Sequence, residues 1–127
     1  VEVFRHIKRI RYSFIDESQR TPVIDEIYEW YVNNLVSRYV LMPSGEITVQ
    51  NRGNPSGQIS TTTDNNMINV FLQAFEFAYL NQSYTEPELD DLWRKYDSLI
   101  YGDDRLNTTP VLPQDYVPRV IDMYKHV

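Results

Sequence analysis

The sequence has no cysteine and only four glycines in 127 residues. Without cysteine there is no disulfide framework, no thiolate zinc site and no cysteine nucleophile, which suits a reducing compartment. Cytoplasm is the default expectation. No apolar run approaches the roughly 20 residues needed to cross a bilayer, so no direct membrane insertion is expected. The opening residues, Val1 to His6, lack the charged-then-apolar layout of a signal peptide. Positive charge is also short: 12 Lys and Arg stand against 18 Asp and Glu, a formal net charge of -6. A domain of that balance does not grip nucleic acid by its overall field. Any anionic ligand must therefore be held locally or by another part of a larger protein.

What is present is apolar material for one compact core, at 42% hydrophobic and 13% aromatic residues. Val3, Ile7, Ile10 and Phe14 recur at helical spacing, and Arg5, Lys8 and Arg9 read as the solvated side of that helix. No capping residue precedes it, as if the chain were cut there. Thr21-Pro22 is a cap and first-turn pair for a second helix running to about residue 37, with Ile24, Ile27, Tyr31 and Leu35 as its apolar stripe. Residues 39–42 and 47–50 flank Pro43-Ser44-Gly45-Glu46 and predict a short hairpin. A long helix is expected from about Gln58 to Leu80, burying Ile68, Phe71, Phe75 and Ala78. Pro87 opens a short helix. Residues 98–101 and 105–109 then bracket Gly102-Asp103, a type II′ hairpin signature. Asp115 can cap a last helix, in whose first turn Pro118 is tolerated. Trp30, Trp93 and most tyrosines are assigned to the core. The expected class is α+β, mostly helical with two short β-hairpins.

Two constellations could carry chemistry. Tyr101-Gly102-Asp103-Asp104 places neighbouring carboxylates at a hairpin tip, where they could hold a hard divalent cation such as Mg²⁺. Two such ions suit phosphoryl transfer. Gly-Asp is equally a good solvated turn. The second constellation is Asn54-Pro55-Ser56-Gly57 followed by Thr61, Asn65 and Asn69, whose spacing of four sets three polar groups on one helix stripe. Such residues are mediocre helix formers, so concentrating them costs stability unless they bond to something, and a sugar hydroxyl suits them. Helix capping is the plainer use. Pro43-Ser44-Gly45 repeats three of these letters with no polar stripe after it, and reads as a turn only.

In this order and about 45 residues apart, the two constellations resemble motifs B and C of viral RNA-dependent RNA polymerases. Motif B is matched by Ser56, Gly57, Thr61 and Asn65, and motif C by Gly102, Asp103 and Asp104. The surrounding runs, Gly53 to Gln58, Asp64 to Met67, Gln73 to Phe77 and Tyr101 to Leu106, look most like the astrovirus polymerase, over essentially the whole chain.

The resemblance implies a partial right-hand polymerase palm: residues 1–127 as a single fragment with an adjoining part of the fingers, incomplete at both ends. It implies template-directed nucleotidyl transfer by a two-metal-ion mechanism in viral genome replication. Asp103 and Asp104 would be the catalytic and metal residues, with Mg²⁺, or Mn²⁺, as cofactor. Ser56, Thr61 and Asn65 would bind the nucleotide, and Gly53, Asn54, Ser56 and Gly57 would form the template and translocation loop. Its partners would be RNA template and primer, ribonucleoside triphosphates and the rest of the polymerase chain, at replication complexes in the host cell cytoplasm. The helix near Pro113 would begin motif D. Motif A, with the family's first metal-binding aspartate, is expected upstream, and Asp16 and Asp25 are poor substitutes for it. The fragment alone is expected to be inactive. The other reading open to the sequence is a noncatalytic, helix-rich interaction module.

Overall fold

The computed structural model describes residues 1–126. Contacts divide the chain into two compact units, Val1–Asn65 and Asn66–Val127. Among the described residues, five α-helices and four short strands follow one another in the order α1 (Glu2–Ser13), α2 (Pro22–Val36), β1 (Arg38–Leu41), β2 (Ile47–Gln50), α3 (Thr61–Leu80), α4 (Glu86–Trp93), β3 (Asp97–Tyr101), β4 (Asp104–Thr108) and α5 (Tyr116–His126), with a 3-10 turn at Glu17–Gln19. The strands form two separate antiparallel hairpins, β1 with β2 and β3 with β4. The α+β, mostly helical architecture with two short hairpins is the one expected from the sequence.

In the first unit, α1 begins without a side-chain cap, whereas Thr21 accepts a bond from the Ile24 N–H and Pro22 occupies the first turn of α2. The apolar interior is small, with Ile7 and Val32 its buried hydrophobic members. Much of the remaining interior is polar. Asp64, in the first turn of α3, is fully buried and so is Lys8. The Asp64 carboxylate accepts from Lys8 Nζ at 2.7 Å, Arg11 at 2.5 Å, Gln58 at 2.9 Å and Ser60 at 3.0 Å. Lys8 also lies over the Tyr31 ring and donates to the Tyr31 hydroxyl. The reading of Lys8 as part of a solvated face is thereby corrected: on α1 it shares the inward side with Ile7, where a buried partner offsets the cost of its charge. Trp30, assigned to the core, is 65% exposed.

In the second unit the core is Phe77, Leu80 and Met123, with Trp93 and Tyr96 stacked beside Phe77. The expected burial of α3 is also corrected. Phe71, Phe75 and Ala78 are exposed, while the inward side carries Asn69, Gln73, Glu76, Phe77 and Leu80. Glu76 is satisfied by Arg105 at 2.6 Å and by the Tyr124 hydroxyl at 2.7 Å. Burial and that carboxylate raise the Tyr124 phenol well above its ordinary range, so it remains a donor. In the same way the Glu76 carboxylate raises the Arg105 guanidinium. Among the described residues no buried side-chain nitrogen or oxygen lacks a partner.

Asp64 sets a pH limit. Burial alone would raise its pKa, but the hydrogen bonds from Lys8, Arg11 and Gln58, with the Lys8 charge, hold it below the ordinary value of 3.8. A carboxyl depressed in the folded state adds stability that is fully present above the unfolded value and is lost as pH falls through the folded one. Unfolding of the chain in urea should therefore become easier as pH drops below about 4. Asp64→Asn should lower stability at pH 7 by about 3 kcal/mol or more, because Lys8 is left buried without a counter-charge. The substitution should also flatten the acid limb of the curve, and an unchanged limb would refute this role.

Candidate functional site

The motif B residues gather within the first unit. Gly53 and Gly57 bound the loop, at φ of +70° and +80°, a left-handed backbone that glycine adopts without the Cβ penalty. Arg38 secures one end by donating to the Gly53 and Arg52 carbonyls. Asn54 secures the other, with its amide nitrogen 2.9 Å from Asn65 Oδ1 and 3.4 Å from the Thr61 carbonyl. Gln58 in turn donates to Asn54 Oδ1 and to Asp64. The Thr61 hydroxyl donates to the Pro55 and Gln58 carbonyls at 2.7 and 3.0 Å, so it ties the loop to the start of α3. Ser56 is exposed at the loop tip. Thus Asn54, Thr61 and Asn65 come together, and the Asn65 oxygen is engaged, which leaves its NH₂ as the group to present to a ligand oxygen. The helix starts at Thr61, three residues later than expected, because residues 58–60 bend to bring Gln58 and Ser60 onto Asp64.

The motif C residues lie in the second unit. Tyr101 pairs with Asp104 across a two-residue turn, Gly102-Asp103. Gly102 has a φ of +65° and Asp103 is not among the residues of positive φ, the pattern of a type II′ turn. Asp104 is thereby the first residue of β4, one position earlier than expected. Both carboxylates are exposed.

Sequence reasoning missed what holds this turn. Asn66 and Asn69, one helical turn apart on α3, embrace it. The Gly102 N–H donates to Asn66 Oδ1 at 2.6 Å, and Asn69 Nδ2 donates to the carbonyls of Gly102 and Asp103 at 3.3 and 3.2 Å. Asn69 had a place in the polar stripe; Asn66 stood only within the run Asp64 to Met67, with no role attached to it.

The donor set suits a magnesium ion in one respect. Asp103 and Asp104 are hard, exposed oxygen donors, and Mg²⁺ is commonly held by one or two protein carboxylates together with substrate phosphates and water. Among the described residues no group of three or more His, Cys, Asp or Glu forms an all-protein metal cage. Nor, among the described residues, is any helix long and apolar enough to cross a membrane.

The family model for viral RNA-dependent RNA polymerase matches residues 1–127. The chain is 57% identical over 126 residues to the non-structural polyprotein 1AB of Ovine astrovirus 1, covering 99% of this chain and 9% of that protein. It is 58% identical to the polyprotein 1AB of Human astrovirus-5, covering 98% of this chain and 8% of that protein, and 44% identical to that of Turkey astrovirus 2, with the same two shares covered. The chain thus spans less than a tenth of the length of these curated relatives. No solved structure matches it. With both motif regions inside a match that runs from end to end, this chain belongs to the viral RNA-dependent RNA polymerase family.

Proposed function

We propose that the chain is a palm segment of an RNA-directed RNA polymerase that copies a viral RNA genome in the host cytoplasm, acting with the rest of its polymerase chain on template, primer and ribonucleoside triphosphates. The observation that carries this reading is the Gly102-Asp103 turn, a polymerase motif whose two carboxylates are exposed while its backbone is bound to α3. A structural turn has no need of such anchoring, whereas a catalytic carboxylate gains from being held within a fraction of an ångström.

Asp103 is assigned the metal-ligand role, with Asp104 assisting. Mg²⁺, when bound, would supply the positive charge that activates the primer hydroxyl and neutralises the leaving pyrophosphate. Ser56, Thr61 and Asn65 are assigned to the nucleotide, with the Asn65 NH₂ as donor to a sugar hydroxyl. The loop of Gly53 to Gly57 is assigned to template movement, since its two left-handed glycines concentrate backbone freedom at either end. The remaining metal ligands and the basic channel for RNA are assigned to other parts of the polymerase, consistent with the net charge of -6. Exposed apolar faces fit the same view. Leu99, Leu106 and Tyr101 on one hairpin are each more than 70% exposed, as are Tyr39, Leu41 and Ile47 on the other, and surfaces of this kind favour burial against further protein.

In the intact polymerase, Asp103→Asn removes a charge without changing shape and should abolish primer extension while the fold survives; near-normal extension would remove Asp103 from the reaction. Asn65→Ala should raise incorporation of deoxyribonucleotides relative to ribonucleotides by about 10-fold or more, because a site that bonds a hydroxyl discriminates by what it leaves unpaired. Competition between the two nucleotides in single-turnover extension measures this, and an unchanged ratio would exclude Asn65 from the sugar site. The purified 127-residue chain, offered primed template and Mg²⁺, should yield no extension product; robust synthesis would contradict the assignment of further ligands to other segments.

A further inference from the structure

The hydrogen bonds that fix the Gly102-Asp103 turn do not stop at Asn69. Asn69 Oδ1 accepts from Gln73 Nε2 at 3.2 Å, Gln73 Oε1 accepts from the Tyr96 hydroxyl at 2.9 Å, and that hydroxyl accepts from Asn107 Nδ2 at 2.7 Å. Every donor points the same way. The series starts on β4, passes through Tyr96 just before β3, runs along α3 and ends on the two carbonyls that flank the Asp103 Cα.

We infer that Asn66, Asn69, Gln73, Tyr96 and Asn107 form a positioning relay that sets the backbone of the turn, and through it the direction of the Asp103 carboxylate, for nucleotidyl transfer. This rests on the assignment of Asp103 to the reaction. Three features support the relay. Asn69 and Gln73 are 8% and 1% exposed, so their amides cannot exchange these partners for water and each is held in one orientation. Tyr96 stacks on Trp93 at 4.6 Å and meets Phe77 edge-on, which fixes the ring that presents the hydroxyl. Burial raises the Tyr96 phenol above its ordinary range, so it stays protonated and remains a donor. Hairpin turns ordinarily give their polar groups to water. Here three backbone groups of the turn, the Gly102 N–H and the carbonyls of Gly102 and Asp103, are claimed by two side chains of one helix turn.

The test uses the intact polymerase, with Asp103→Asn as control. Asn69→Asp keeps the size of the side chain but replaces the donor with an oxygen facing two carbonyl oxygens. Hydrogen exchange of peptides covering residues 97–108 should accelerate by about 5-fold or more with little change elsewhere. The turnover number should fall by about 10-fold or more, with KM for the nucleotide nearly unchanged, since placement of the carboxylate and not ground-state binding is altered. Tyr96→Phe keeps the ring packing and removes only the hydroxyl; it should shift both measurements in the same direction by a smaller factor. Unchanged turn exchange and turnover in Asn69→Asp would overturn the inference, as would losses matched by faster exchange across the whole protein. Should Asn69→Asp fail to fold, Tyr96→Phe decides: wild-type turn exchange and turnover in that variant overturn the relay. If instead Asp103→Asn keeps full activity, it is the polymerase role of Asp103 that fails, an outcome distinct from a silent relay.

Discussion

A helix whose inward side is polar imposes the constraint on which the rest of this structure depends: each buried donor and acceptor must find a partner, or the fold loses roughly 1–3 kcal/mol for each one left unmade. In the first unit α3 contributes Asp64, which draws Lys8, Arg11, Gln58 and Ser60 to itself. In the second it contributes Asn69, Gln73 and Glu76, which recruit the turn carbonyls, Tyr96, Arg105 and Tyr124. Apolar packing would accept many arrangements of similar volume. Directional bonds accept few, so a small core with satisfied polar networks is well suited to hold a loop and a turn in set positions.

That constraint explains the local geometry of both motif regions. The loop of residues 53–57 is anchored by groups that are themselves engaged: Gln58 bonds Asn54 and Asp64, and Asn54 bonds Asn65. The hairpin tip is anchored through backbone alone, which leaves the Asp103 and Asp104 carboxylates exposed. In each case the scaffold uses amide groups, which carry both a donor and an acceptor and no net charge. Amides can fix an aspartate-bearing turn through its backbone without pairing with the carboxylates, whereas a neighbouring lysine would compete with a metal ion for them.

How much of this could be read beforehand depended on range. Helix starts at Thr21-Pro22 and the hairpin at Gly102-Asp103 are dictated by a few adjacent residues, and they stand where local chemistry puts them. The Thr61, Asn65 and Asn69 stripe was legible as an anomaly, a run of poor helix formers on one face, though not what each residue bonds. Lys8 and Phe75 misled because periodicity ranks residues by polarity alone. Lys8 is drawn inward by Asp64, 56 positions later in the chain, and Phe75 lies outward because Gln73 and Glu76 hold the inner side of α3. Nothing in the sequence assigns Asn66, Tyr96 or Asn107 these contacts, because their roles arise only when separate elements meet.

The exposed apolar surface and the polar interior are two consequences of one allocation. Hydrophobic area is non-directional and strongest where large faces are removed from water, so the bare sides of both hairpins are the surfaces that the proposed assembly with further polymerase would bury. Hydrogen bonds are directional and lose their strength to competing water unless shielded, so they serve the placement of individual groups. In this chain most of the large aliphatic and aromatic residues of the hairpins lie outside while Asn69 and Gln73 of α3 lie inside, the reverse of what stability in isolation would favour. A segment arranged in this way gives up stability of its own for a defined turn and loop, and in the proposed assembly the covering of its hydrophobic faces is the step that would restore what the arrangement costs.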